Sequence, residues 1–223
     1  MTMPRFRLDE RLQTAADLFP ACAYGADIGA DHGRLSCYLL ESGKCQRMCV
    51  SDVSAPSLKK AETLLALMGL RSRADCLVGS GLSVLTHPAQ AIAILGMGGH
   101  TMAEILLSGK DKLQGSALIL SAHTDTDLIR RILPQLHYRI DEEKIAHAAG
   151  RYYVILRAVP GEETYTERQY LLGPRLMETS AAHYEDYLAW QVRMTLPKRT
   201  EEAGMYLQML KEEQERVRHC GHD

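Results

Sequence analysis

Five short apolar runs punctuate the first 122 residues: YGADI (24–28), RMCVSD (47–52), ADCLVG (74–79), AIAILG (91–96) and ALILSA (117–122). Runs this short and this continuously apolar read as strands buried on both faces. Between them the apolar spacing becomes helical. Leu35, Tyr38 and Leu39 form one such stretch. Another starts at Ser54 with Pro56 in its first turn and runs through Leu64 and Leu67 to Gly69. Serine as N-cap with proline just inside is a helix-start signal. Further helices are expected near His100–Leu107 and Asp125–Leu136. Strands alternating with helices build a parallel sheet covered on both faces.

The rhythm breaks after residue 136. YRIDEEKI (138–145) and RYYVILRAV (151–159) read as two strands joined around Ala148–Gly150, an antiparallel hairpin. Five βα units closed by a hairpin predict an α/β fold with a class I (Rossmann-like) methyltransferase sheet. It is mostly parallel, with one antiparallel strand near an edge.

From Thr164 onward the pattern is helical. Met177, Ala181, Tyr184, Leu188 and Gln191 follow 4-3-4-3 spacing, as do Ala203, Leu207, Leu210, Gln214 and Val217, with Pro197 between them. This predicts a C-terminal α-helical, coiled-coil-like hairpin. The expected organisation is residues 1–161 as a catalytic domain and 162–223 as a helical domain.

Charge and cysteine usage narrow the classes. A net charge of −2 does not advertise a nucleic-acid binder by electrostatics alone. The six cysteines (22, 37, 45, 49, 76 and 220) form no C-x-x-C pair, which disfavours a disulfide framework or zinc ribbon. The N-terminus lacks an apolar leader core and no run reaches the length of a membrane span, so the expected location is cytoplasmic, with no membrane partner.

The chemistry concentrates in the turns after the strands. In ADIGADHGRL (26–35), Gly29 lets the backbone approach a nucleotide-like ligand, but the spacing to Gly33 is not G-x-G-x-x-G. Asp27 and Asp31 oppose a phosphate and suit a cationic ligand such as the sulfonium and amino groups of S-adenosylmethionine. Asp52 closes the second run 23 residues after Gly29, where a carboxylate can take both ribose hydroxyls; alone it reads as a helix-capping or turn aspartate, and beside the glycine turn the ribose role is favoured. Gly79, Ser80 and Gly81 follow the third run, and Gly96, Met97, Gly98 and Gly99 the fourth. His32 with Asp27 and Asp31 has no second histidine at ligand spacing, and His123 with Asp125 could join them only through the fold, so no metal site is expected. A G-x-S-x-G elbow is absent, which weakens hydrolase readings.

ADIGADHGRL, SDVS, GSGL and GMGG, in that order, together with LLGPRL and YEDYL in the tail, resemble the bacterial tRNA (adenine-22-N1)-methyltransferase family along nearly the whole chain. The resemblance implies S-adenosylmethionine as cofactor, tRNA as partner and the helical tail as a tRNA-holding element. It puts Asp27, Gly29, Asp31, His32 and Leu35 at the methionine end and Asp52 on the ribose, with Val53 against the adenine. Gly79, Ser80, Gly81 and Leu82 edge that ring, and Gly96 through Gly99, Met97 included, border the transfer site. No catalytic side chain is assigned, because adenine N1 carries an in-plane lone pair and needs no deprotonation. N1 lies on the pairing edge, so the base must be unpaired or flipped. Among Arg5, Arg7, Arg11, Arg34, Lys44, Arg47, Lys59 and Lys60, Arg34 is the RNA-contact candidate, beside the cofactor turn. Two departures stand out: the family's G-D-G-L is GSGL here, and its Gln-Pro after strand five is Ser121-Ala122. They motivate the alternatives, a cofactor- or RNA-binding homologue with altered or lost transfer, or a methyltransferase of another substrate. Oligomeric state is left open.

Overall fold

The computed structural model describes residues 7–178, 183–198 and 200–220, and of Cys220 only the backbone. Its centre is a seven-stranded sheet in the order β3-β2-β1-β4-β5-β7-β6. The strands are β1 (Cys22–Ile28), β2 (Cys45–Asp52), β3 (Ala74–Val78), β4 (Ala91–Met97), β5 (Ala117–Ala122), β6 (Tyr138–Ala148) and β7 (Arg151–Pro160). β1 pairs in parallel with β2 and β4, β2 with β3, and β4 with β5. β7 is antiparallel to both β5 and β6. All five apolar runs and the hairpin are therefore strands, in the arrangement expected.

Alternation along β4 shows why the sheet is buried on both faces. Ala91, Ala93 and Leu95 join one core cluster, with residues of α1 (Glu10–Leu18), α2 (Arg34–Glu41) and α3 (Ala55–Leu67). Ile92 and Ile94 join the other, with α4 (Gly99–Ser108) and α6 (Thr126–Ile132). Side chains two apart share a face, so one strand feeds two cores. The short α5 (Lys110–Leu113) leads into β5. The turn between β6 and β7 places Ala149 (φ 51°) and Gly150 (φ 73°) in the left-handed region, the requirement of a tight hairpin turn.

Ser54 caps α3 as expected, its side chain accepting from Ser57 N, with Pro56 in the first turn. Helix α1 is an element the strand rhythm did not announce. Asp9 caps it, and Ala15, Ala16 and Leu18 bury against the sheet. The expected helix at 125–136 is α6 followed by a 3-10 turn, Leu133–Leu136, which holds Pro134.

The tail comprises α7 (Glu167–Leu172), α8 (Pro174–Glu178), α9 (Tyr184–Thr195) and α10 (Glu201–Cys220). Tyr184 meets Glu213 and Glu185 meets Arg218, so α9 and α10 run antiparallel, as the spacing predicted. Met177 belongs to α8 rather than to the α9 stripe, and Ala181 lies outside the described residues. Leu172, Leu176, Tyr184, Tyr187, Leu188 and Leu210 share a third cluster with Ile145 of β6 and Val154 of β7. Helix α10 also buries a carboxylate, one position before the Gln214 of the predicted stripe. Glu213 is 0% exposed and takes hydrogen bonds from Tyr184, Arg168 and Arg216. Among the described residues, no helix is long and apolar enough to cross a membrane.

Candidate active site

In an open α/β sheet, ligands bind outside the carboxyl ends of the strands, where the order reverses. Here the reversal lies between β1 and β4, which pair directly although β2 and β3 intervene in sequence. A cavity of about 810 Å³ opens there, within the roughly 300–1,000 Å³ usual for cofactor sites. Ile28, Gly29 and Asp31 from the first turn line it, with Asp52 and Val53 after β2. Gly79, Ser80, Gly81 and Leu82 after β3 complete one wall, and Gly96 and Met97 of β4 the other. Four separate turns, read as ligand-binding from sequence, thus converge on one space.

Gly29 shows why small residues sit here. Its φ of +75° is left-handed, and a Cβ on it would stand 3.0 Å from Met97 Cε. The turn is held by two donors, Gly29 N and Ala30 N, both to Ser51 O at 2.9 Å. Asp52 knits the next contact: Oδ2 accepts from Asp31 N at 3.0 Å and Oδ1 from Ser54 N at 2.8 Å. Asp52 therefore acts in the turn, Ser54 being the cap of α3, and each oxygen retains acceptor capacity for a further donor. Val53 stands 69% exposed at the rim, an apolar surface free to cover a flat ring.

Other candidates stand behind or beside the cavity. Asp27 is 4% exposed and accepts from Ser36 Oγ at 2.6 Å and from the Ser36 backbone. It thereby satisfies one of the open amide groups in the first turn of α2. Burial pushes its carboxyl up to about 6, against the lowering effect of the Ser36 hydrogen bonds. Leu35 is buried in the core, while exposed His32 donates from Nδ1 to the Asp31 carboxylate. Arg34, the first residue of α2, donates to Arg7 O at 2.9 Å.

The glycines after β4 divide their work. Gly96 and Met97 line the cavity; Gly98 and Gly99 pack against the loop after β5. A Cβ on Gly99 would lie 2.6 Å from Asp125 O, and Gly99 N donates to Thr124 O. Ser121 and Ala122 are both buried, and neither lines this cavity. The first exposed side chain past β5 is His123. A Cβ on Gly96 would stand 3.2 Å from Arg11 Nη1 and 3.7 Å from His123 Nε2. The sequence offers Arg11 as an RNA-contact candidate and His123 as a conceivable metal ligand, and does not bring the two together at this edge. Asp9, capping the helix that carries Arg11, is the local signal for α1.

Several proposed RNA contacts are already committed within the fold. Lys44 Nζ donates to Ala16 O and Asp17 O at the end of α1, and Arg47 pairs with Asp75 at 2.9 Å. Lys59 pairs with Glu62. Arg5 lies outside the described residues.

A methyltransferase-domain model matches residues 8–156. The chain is 36% identical over 162 residues to the tRNA (adenine(22)-N(1))-methyltransferase of Bacillus subtilis, covering 72% of this chain and 68% of that protein. This chain belongs to the tRNA (adenine-22-N1)-methyltransferase family. The B. subtilis tRNA methyltransferase TrmK superposes with a TM-score of 0.79 at 29% identity, over 96% of this chain and 98% of that one. Streptococcus pneumoniae Sp1610, solved in complex with S-adenosyl-L-methionine, gives 0.88 at 25% identity, over 93% and 100%. The family likeness thus spans the sheet and the helical tail.

Proposed function

We infer that this chain methylates N1 of an adenine, position 22, in tRNA, with S-adenosylmethionine as methyl donor. The observation that carries the reading is the cavity at the β1–β4 reversal. It is walled by a left-handed glycine turn, a carboxylate at the end of β2 and an exposed apolar side chain beside it. That set fits a nucleoside joined to a cationic amino-acid end and offers no built cradle for a diphosphate.

When bound, S-adenosylmethionine supplies an electrophilic methyl group on its sulfonium. Asp52 accepts from the ribose hydroxyls, and Val53 and Leu82 close on the adenine with the Gly79–Gly81 turn. Asp31 adds negative charge at the methionine end, and Asp27 holds the start of α2 behind it. Gly96 and Met97 form the wall where the target base arrives. Adenine N1 presents its lone pair unprotonated at neutral pH, so the protein supplies positioning rather than a base. The helices of residues 162–223 hold the tRNA so that the base can leave its stack. The free thiols of Cys22, Cys37, Cys45, Cys49 and Cys76 suit a reducing, cytoplasmic setting.

The test is incubation with labelled cofactor and unmodified bulk tRNA, followed by nucleoside mapping. Label in 1-methyladenosine supports the reading. Cofactor binding with no transfer to any RNA contradicts it.

A further inference from the structure

Gly96 separates two environments. One side lines the cofactor cavity; the other, where a side chain would begin, faces Arg11 Nη1 and His123 Nε2. Three elements distant in sequence meet at that point: α1, the loop after β5, and β7. The Arg11 guanidinium lies over the Tyr153 ring, 5.4 Å from its centroid. The His123 and Tyr153 rings are 5.7 Å apart and tilted by 57°. His123 is held against β4 by its backbone, which donates to Met97 O at 2.8 Å. We propose that His123 reads the target adenine through its exocyclic amino group, with Arg11 and Tyr153 as the seat of the extruded nucleotide.

The chemistry of the base selects an acceptor here. Beside N1, adenine carries an N6 amino donor, whereas guanine carries an oxygen at position 6 and a proton on N1. A neutral imidazole nitrogen next to the transfer point accepts from N6–H and leaves guanine unmatched. As N1 gains its methyl group the base becomes cationic and its amino protons become stronger donors. The same hydrogen bond then tightens in the transition state. Partial desolvation of the ring first, then the charges of Arg11 on α1 and Arg151 on β7, hold the His123 pKa below its ordinary value. Tyr153, also on β7, adds a phenol, and Gly96 on β4 adds no titratable group. Arg11 offers its charge to the phosphate of the flipped nucleotide, and Tyr153 offers a ring edge for packing.

The inference rests on the adenine-methylation reading, and one experiment separates the two. His123→Ala and His123→Gln are each titrated calorimetrically with S-adenosylhomocysteine, then assayed on unmodified tRNA from pH 5 to 8. Both variants should bind the nucleoside like the parent, because His123 is exposed and outside that cavity. His123→Ala should lose about tenfold or more in transfer, the worth of one charge-assisted hydrogen bond. His123→Gln keeps an acceptor that cannot be protonated, so it should recover transfer and lose the acid limb of the pH profile. Parental transfer by His123→Ala overturns the inference, as does loss of S-adenosylhomocysteine binding in both variants. If the parent itself methylates no adenine, the functional reading fails, and this inference with it.

Discussion

Ser36 Oγ donates to Asp27 Oδ2 at 2.6 Å, both side chains sealed inside the protein. The bond joins the end of β1 to the first turn of α2, so the cofactor turn is anchored from behind.

The anchor has a pH signature. The Asp27 carboxyl sits at about 6 in the folded chain, against 3.8 for the ordinary group. Between those values the folded chain keeps a proton that the unfolded chain releases, so stability falls as pH rises through the window. The loss is on the order of 3 kcal/mol. Asp27→Asn should flatten that slope between pH 4 and 6 in urea titrations; an unchanged slope would assign it to another group.

Asp52 accepts from two backbone amides and is the proposed ribose ligand. Asp52→Ala should weaken S-adenosylhomocysteine binding by about a hundredfold, the combined loss of two charge-assisted bonds. Asp52→Asn should fall between the two. Calorimetry decides it, and parental affinity in Asp52→Ala would remove Asp52 from the site.

Arg130 and Glu143 are 1% and 0% exposed at the side chain and meet at 2.8 Å. Arg130 also donates to Tyr170 O and Leu171 O, and Glu143 accepts from Arg175 N. The pair therefore ties α6 and β6 to α7 and α8. Glu143→Gln leaves a buried guanidinium uncompensated and should cost roughly 3–5 kcal/mol. The double variant Arg130→Met with Glu143→Leu should recover most of that loss in denaturant unfolding. Equal destabilisation in single and double variants would contradict the ion-pair account.

The strands and the cavity turns were legible because each is a local signal. A buried parallel strand is a short apolar run, and a ligand-approach turn is a glycine after it. Asp52 was legible as a turn carboxylate and as a ribose ligand, and the geometry allows both; the cap of α3 is Ser54. Arg11 was legible only as one of several RNA-contact candidates, since its meeting with Gly96 exists only once α1 packs on the face of the sheet. His123 was legible only as a conceivable metal ligand with Asp125, because its place beside Gly96 depends on the loop after β5 folding back onto β4. Glu213 lies one position before the Gln214 of the predicted spacing, so the sequence did not announce its burial. Only Arg168, Arg216 and Tyr184, brought together from α7, α9 and α10, make a buried carboxylate tolerable there.

The most direct measurement compares two unmodified tRNA transcripts that differ only at position 22, adenine in one and guanine in the other. Each is incubated with labelled S-adenosylmethionine and mapped by nucleoside analysis. Label in 1-methyladenosine from the adenine transcript, with none from the guanine transcript, is the result expected. Equal labelling of both, or labelling of neither while S-adenosylhomocysteine still binds, would contradict methylation of adenine 22.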